Sequence, residues 1–197
     1  QQGAITADPS KNIVLASGGS YNNTFGAGAL NVSGSGRWLV YGADPGSVNK
    51  NGLTSAFRQY NTVYGGAIGG TGNGFIYAST PGQLNVNTTL TSGIASNTYG
   101  TAPTAVFGYA IGNPAIADNE DLAEISGTPD FTPTISSTTA AGGYTVNYLN
   151  GLSSAAGYTF VPGVGLSYTV NPALLNVAAI ASSKTYGSID PTLTYNA

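Results

Sequence analysis

Acidic side chains are the residues of this 197-residue chain best suited to chemistry. Four of the eight carboxylates fall within seven residues, at Asp118, Glu120, Asp121 and Glu124. A pair of carboxyl groups is enough for a glycosidase, and several carboxylate oxygens together suit Ca²⁺. The chain has no histidine and no cysteine, which excludes a Ser-His triad, a thiol nucleophile and a thiolate metal site.

The pattern around these acids favours the start of a short helix over a catalytic or metal site. Asp118 stands at the expected N-cap, acidic residues follow it, and Leu122 and Ile125 share one helix face. Gly127 and Pro129 then stop the helix. The spacing lacks the alternating ligands and the glycine of a calcium loop. We therefore expect solvated acids, no catalytic residue, no cofactor and no metal, with a carboxylate-pair hydrolase as a distant alternative.

Aromatic side chains of the N-terminal part form a second group of candidates. A sugar ring could stack on an exposed aromatic face, whereas a structural role would place the same rings over the open end of a sheet, covering its core and backbone edges. We favour the structural role for the single tryptophan. The candidates for ligand binding or capping are Trp38, Tyr41, Tyr60, Tyr64 and Tyr77.

Composition indicates that strands must position these side chains. Only 7% of the residues are charged, 29 are glycine, and tyrosine, threonine and valine are frequent. These residues favour pleated, half-buried surfaces and tight turns, so we expect an all-β (mostly β) fold with at most one short helix. The net charge of −3, with five scattered basic residues, argues against nucleic acid as a partner. No apolar run is long enough to predict a transmembrane segment.

The chain also contains an internal repeat. Thr98-Tyr99-Gly100 and Thr185-Tyr186-Gly187 each precede a short turn, a proline and an apolar strand that ends in tyrosine. Each copy follows a Leu-Asn-Val start, at 84–86 and 175–177. We expect Tyr99 and Tyr186 at a core or module-to-module packing position, and we expect the chain to be a piece of a longer array. The predicted parts are 1–82, a complete repeat at 83–173 and the start of a second repeat at 174–197.

Alternation and β-branching predict where the strands of the complete repeat lie. Pro172, in the junction to the second copy, restricts its own backbone and that of Asn171, so we expect a rigid line of modules. The predicted strands lie near 83–89, 105–109, 131–135, 143–148, 158–161 and 166–170.

Motifs in both halves of the chain carry a resemblance to a known family. They are Gly36-Arg37-Trp38-Leu39-Val40-Tyr41 with Asp44-Pro45, Phe57-Arg58-Gln59-Tyr60-Asn61, Gly72-Asn73-Gly74-Phe75-Ile76-Tyr77, Thr98-Tyr99-Gly100 with Pro103, Tyr168-Thr169-Val170-Asn171-Pro172-Ala173, and Lys184-Thr185-Tyr186-Gly187. The chain resembles the filamentous-haemagglutinin-like adhesins of bacterial two-partner secretion. Its second half is similar to the MBG domain of the Tyr-Gly type. The first copy departs from the second in having Asn97 where the second has Lys184.

The resemblance implies both an architecture and a role. Residues 1–82 would be the end, or cap, of a right-handed parallel β-helix, followed by a mostly-β, β-grasp-like repeat module. The chain would be a structural and adhesive segment of a large secreted surface fibre, at the bacterial cell surface, that serves cell adhesion and biofilm. Its partners would be neighbouring repeats of the same chain and host-cell or matrix polysaccharide. The alternative is a carbohydrate-binding module that recognises surface or matrix polysaccharide.

Overall fold

The N-terminal part is wound into coils whose successive strands pair in parallel. In the computed structural model, which describes residues 1–196, three short strands of one coil pair with three strands of the next. The offset is 25 residues along the first two pairs and 27 along the third, which is the arrangement of a parallel β-helix. The strands are β1 (Ile5–Thr6), β2 (Ile13–Ala16), β3 (Tyr21–Asn22), β4 (Leu30–Asn31), β5 (Trp38–Gly42) and β6 (Val48–Asn49).

The coils end where the chain departs from this winding. Strand β7 (Phe57–Gln59) occupies the edge of the sheet, and β8 (Gly74–Tyr77) then inserts between β5 and β7, in parallel to both. The resulting sheet has the order β2–β5–β8–β7. Residues 60–73 connect β7 to β8, and Ile68 of this loop packs with Phe57 against the outer face of the sheet.

Strand β5 is buried on both faces, which explains its continuous apolar sequence. Trp38 and Val40 point into the coils, where the tryptophan meets the edge of the Phe75 ring at a centroid distance of 5.1 Å. Leu39 and Tyr41 point outward and are covered together with Ile76. The two faces of one strand therefore contribute to two separate apolar clusters.

The following module has two sheets. One has the order β11–β9–β14 and the other β10–β15–β13–β12. Inward residues of β9 alternate with outward ones, so that Leu84, Val86 and Thr88 are buried, and Val146, Tyr168 and Val170 form a core cluster on the second sheet. The strands are β9 (Gln83–Ser92), β10 (Ser96–Thr98), β11 (Val106–Ile111), β12 (Ser126–Thr132), β13 (Gly142–Ser153), β14 (Thr159–Pro162) and β15 (Leu166–Asn171).

Within residues 1–196, helical structure is confined to short pieces. Two 3-10 turns cover Pro45–Ser47 and Pro114–Ile116, and one α-helix, α1, covers Asn119–Ala123. The all-β prediction is confirmed, while the finer likeness to a β-grasp stays a prediction. Among residues 1–196, no helix is long and apolar enough to cross a membrane.

The strand prediction for the module was incomplete. Strand β10 was not predicted, because Ser96–Thr98 has no apolar alternation and pairs with β15 across more than 70 residues of sequence. Strand β12 begins at Ser126, five residues before the predicted start, because its pairing with β13 shifts register around Asp130. Such irregular pairing hides the period of two on which strand prediction depends.

The C-terminal residues 174–196, which we name the tail, form a small hairpin on their own. Strands β16 (Ala178–Ala179) and β17 (Tyr195–Asn196) pair in an antiparallel manner, and every residue from 171 to 196 is exposed. Tyr186 is fully exposed and Tyr99 is 46% exposed. The expectation of a core position is therefore wrong for both tyrosines, because each stands at the start of a turn and outside the strands. The alternative, a module-to-module position, stays a prediction.

Candidate functional site

The acidic segment faces the end of the coils. Asp118 caps α1 as predicted, since its side chain accepts a hydrogen bond from the Glu120 backbone nitrogen at 3.0 Å. Asp118 and Asp121 are each only 3% exposed, however. The expectation that these acids are solvated is wrong for both residues, because the helix start lies directly against basic and tyrosine side chains of the coils.

Lys50 forms the first half of this contact. Its Nζ lies 2.6 Å from Asp118 Oδ2 and 3.5 Å from Glu120 Oε2. The same ammonium group lies 4.4 Å from the centroid of the Phe75 ring, a distance suited to a cation–π contact. The hydroxyl of Tyr77, which is fully buried, donates a hydrogen bond to the same Asp118 carboxylate.

Arg58 forms the second half and binds three carboxylates. Its Nε lies 2.8 Å from Asp121 Oδ1, its Nη1 3.1 Å from Glu120 Oε2 and its Nη2 2.7 Å from Glu124 Oε2. Burial by itself would lower the pKa of Arg58, but its hydrogen bonds to Glu124 and Asp121 raise that pKa overall. A planar guanidinium suits this arrangement, because its donors point in fixed directions.

Tyrosines from both parts complete the network. Tyr60 donates a hydrogen bond to Asp121, and its hydroxyl lies 2.8 Å from that of Tyr158 in the module. The Tyr60 ring also packs on Tyr77 and Tyr158, at centroid distances of 5.1 and 5.8 Å. Burial raises the pKa of Tyr60 and of Tyr77 well above the ordinary value, and the neighbouring aspartates raise it further. Both hydroxyls therefore act as hydrogen-bond donors across the physiological pH range.

This arrangement is suited to holding two parts of a chain together. Each buried carboxylate has a cation and a tyrosine hydroxyl as partners, which offsets the cost of burying its charge. Removing one partner from such a buried pair typically costs about 3 to 5 kcal/mol, because the other charge is left uncompensated. Within residues 1–196, no group of three histidine, cysteine or acidic residues is arranged to hold a metal ion. We name the contacts between the coils and the module the joint network. It comprises Lys50, Arg58, Tyr60 and Tyr77 of the coils and Asp118, Glu120, Asp121, Glu124 and Tyr158 of the module.

The structure divides the five candidate aromatics between two places. Trp38, Tyr77 and Tyr60 belong to the apolar cluster inside the coils, and the last two extend it into the joint network. Trp38 is 2% exposed and packs on Phe75 of the neighbouring strand. It therefore lies inside the coils, and Tyr60 and Tyr77 are the rings that face the module.

The other two candidate aromatics lie on the outer face of the coils. Tyr41 is 7% exposed, and the edge of the 69% exposed Tyr64 ring approaches it at a centroid distance of 5.5 Å. An open groove runs beside these two rings, lined by Thr62 and Val63 of the loop and by Ala16 and Ser17 at the end of β2. Tyr64 is thus the one candidate ring whose surface is free to meet a ligand.

Sequence reasoning missed the two basic residues of the joint network as site residues. Lys50 and Arg58 are two of only five basic residues in the chain, and both precede the end of the coils. The acidic cluster at 118–124 is the matching concentration of opposite charge. In a chain with so few charges, this complementarity was the signal that could have paired the two segments.

Comparison with known proteins added no relative. A scan against protein-family models, a search of curated proteins and a search of solved structures each found no match. The resemblance to two-partner-secretion adhesins stays a prediction that rests on the motifs alone.

Proposed function

We propose that this chain is a structural and adhesive segment of a large secreted bacterial surface fibre, in which it joins a β-helical shaft to a stalk of β repeats. The observation that carries the proposal is the joint network, in which buried ion pairs and tyrosine hydroxyls connect the last strands of the coils to the module. The motifs that resemble secreted adhesins supply the expected context, which is the bacterial cell surface and biofilm.

The connection between the two parts supports a rigid joint. Only residues 78–82 separate β8 from β9. Within them, the Ala78 nitrogen donates to the Gly42 carbonyl at 3.1 Å and the Ser79 nitrogen donates to the Ala43 carbonyl at 2.9 Å. The connecting segment thus continues the hydrogen bonding of the coils and leaves little slack, so bending at the joint requires breaking the buried network.

The proposed role is mechanical and involves no catalysis. A glycosidase needs two carboxyl groups that are free to exchange protons across a cleft. The acids of the joint network are bound instead to Lys50 and Arg58, and Asp118 and Asp121 are buried. These ion pairs support a structural role for the acids over a catalytic one.

Distance measurements between spin labels test the rigid joint. The chain has no cysteine, so Ser35→Cys in the coils and Ala102→Cys in the module, both exposed, give two unique labels. We expect a narrow distance distribution in the parent chain and a broad one after Lys50→Ala with Arg58→Ala. Lys184→Ala, which removes an exposed ion pair in the tail, is the control and leaves the distribution narrow. A broad distribution in the parent chain would overturn the rigid joint, and no broadening in the double variant would overturn the joint network as its cause.

Adhesion requires its own assay. Beads coated with the full chain should be retained on host cells or on biofilm matrix more than beads coated with an unrelated protein of similar charge. Equal retention would remove the adhesive part of the proposal and leave the joint.

Carbohydrate binding is the second candidate function, and the exposed ring of Tyr64 beside its groove favours it. Titration of the full chain with a panel of surface and matrix polysaccharides tests this function. Saturable binding lost in Tyr64→Ala and kept in Tyr99→Ala, a second partly exposed tyrosine outside the groove, would establish it. The absence of binding at millimolar sugar would remove it.

A further inference from the structure

The tail hairpin repeats the pairing of the first strands of the module. In the complete repeat, Thr88 of β9 pairs with Tyr109 of β11. In the tail, Ala179 of β16 pairs with Tyr195 of β17. Both first residues stand two positions after a Leu-Asn-Val start, and both tyrosines lie in the segment that follows proline and threonine. The tail is therefore the same hairpin in the same register.

The burial of the two hairpins is opposite. Leu84 and Val86 are completely buried in the module, whereas their counterparts Leu175 and Val177 are 70% and 60% exposed. The tail exposes further apolar side chains, which are Leu174, Ile180, Ile189, Leu193 and Tyr195. Apolar side chains that are buried in one copy and exposed in the other mark the face that a covering segment would bury.

The complete repeat indicates what such a hairpin needs. Strand β14 pairs in parallel with β9, with Phe160 opposite Leu84 and Pro162 opposite Val86. The pairing continues beyond the strand, because the Gly163 nitrogen donates to the Val86 carbonyl and the Thr88 nitrogen donates to the Val164 carbonyl, both at 2.9 Å. Within residues 1–196, the outer edge of β16 has no such strand, and β16 pairs with β17 alone.

The chemistry of the covering segment is also defined. Residues 142–171, which contain β13, β14 and β15, carry no charged side chain. Residues 173–183 of the tail are uncharged as well. Recognition therefore depends on backbone hydrogen bonds and apolar burial, which is the β-strand addition mode of peptide binding.

We propose that the tail hairpin is a strand acceptor, which binds an uncharged partner segment patterned like residues 142–171. The partner strand adds in parallel along the free edge of β16, and its aromatic side chains cover Leu175 and Val177 as Phe160 and Tyr158 cover Leu84. The inference goes beyond the proposed joint, because it assigns a second interaction surface at the other end of the module. It does not depend on the joint network.

A synthetic peptide of residues 142–171 tests the acceptor. Labelled peptide is titrated with the full chain, and we expect saturable binding that changes little with salt. Leu175→Asp should weaken binding by more than about tenfold, because the carboxylate would be buried without a partner. Leu174→Asp is the matched control, since its counterpart Gln83 is exposed in the complete repeat, and it should bind with the affinity of the parent chain.

Three outcomes would overturn the proposal. Absence of binding would show that the tail does not accept a strand, and equal binding by the Leu175→Asp variant would place the peptide elsewhere. Self-association of the full chain without peptide, lost in Leu175→Asp and measured by sedimentation, would identify a second copy as the occupant. The spin-label experiment on the joint has no bearing on these outcomes, so failure of one proposal is distinguishable from failure of the other.

Discussion

The two copies of the Leu-Asn-Val hairpin have the same local structure in opposite environments. Both pair in the same register, and both close the following turn with a side-chain donor. The Asn97 amide donates to the Thr101 carbonyl at 2.9 Å, and the Lys184 ammonium donates to the Ser188 carbonyl at 3.3 Å. The exchange of asparagine for lysine between the copies thus preserves the turn.

Burial separates the two copies. Strand β9 of the first hairpin receives β14 on one edge and the second sheet on one face, and its inward residues Leu84 and Val86 lose all contact with solvent. The second hairpin has neither partner within the described residues. The comparison teaches that strand pairing here is a local property, whereas the core is built only when distant segments arrive.

Truncating the corresponding leucine in each copy is the most direct test of this difference in burial. Leu84→Ala should lower the free energy of unfolding by about 3 to 5 kcal/mol, because truncating this fully buried side chain leaves a cavity in its place. Leu175→Ala should change it by less than about 0.5 kcal/mol, as expected for an exposed position. Urea denaturation followed by circular dichroism measures both. Similar losses for the two variants would mean that the tail packs as the first hairpin does.

Removing a buried and an exposed ion-pair partner tests the same effect of burial. Arg58→Ala should cost about 2 to 3 kcal/mol, less than a fully buried pair, because Glu120 and Glu124 can regain water while Asp121 cannot. Lys184→Ala removes the exposed pair with Asp190 and should cost less than about 1 kcal/mol. The same urea titrations compare the two variants. An Arg58→Ala variant as stable as Lys184→Ala would contradict the structural role of the joint network.

Alkaline pH should weaken the joint. The raised pKa of Tyr60 and of Tyr77 means that the folded chain holds these protons more tightly than the unfolded chain. Their contribution is therefore complete below the ordinary tyrosine pKa of about 10 and is lost as the pH rises above it, by up to about 1.4 kcal/mol per pH unit for each proton. Unfolding titrations from about pH 8 to about pH 11, roughly two units below that pKa to one unit above it, measure the decline.

Two phenylalanine variants assign that decline to the joint. Tyr60→Phe removes one of the titrating hydroxyls and should make the decline shallower. Tyr186→Phe, at a fully exposed position, should leave it as in the parent chain. If both variants decline as steeply as the parent, another group is responsible.

Removing the tail should have the smallest effect on stability. A chain ending at Ala173 lacks residues whose side chains are all exposed, so its free energy of unfolding should match that of the full chain within about 0.5 kcal/mol. Amide exchange gives an independent measurement, with strong protection expected in β9 and little in β16. Strong protection throughout residues 174–196 would show that the tail is a folded unit.

The candidate site was only partly predictable. The helix start at Asp118 was predicted correctly, because an N-cap and its first turn involve residues within a few positions of one another. Its burial was not, because the partners Lys50 and Arg58 lie 68 and 63 residues away in sequence. Tyr60 and Tyr158, which are 98 residues apart, illustrate the same limit.

The sequence by itself determined the all-β class, the internal repeat and the helix start at Asp118. These follow from turn residues, alternation and helix capping, which act over short distances along the chain. Only the tertiary structure decided which copy is buried, which acids become ion pairs, and that Trp38 lies inside the coils while Tyr64 lies outside them. Burial depends on which distant segments reach a side chain. Two copies of one motif in a single chain can therefore have the same hairpin and opposite burial.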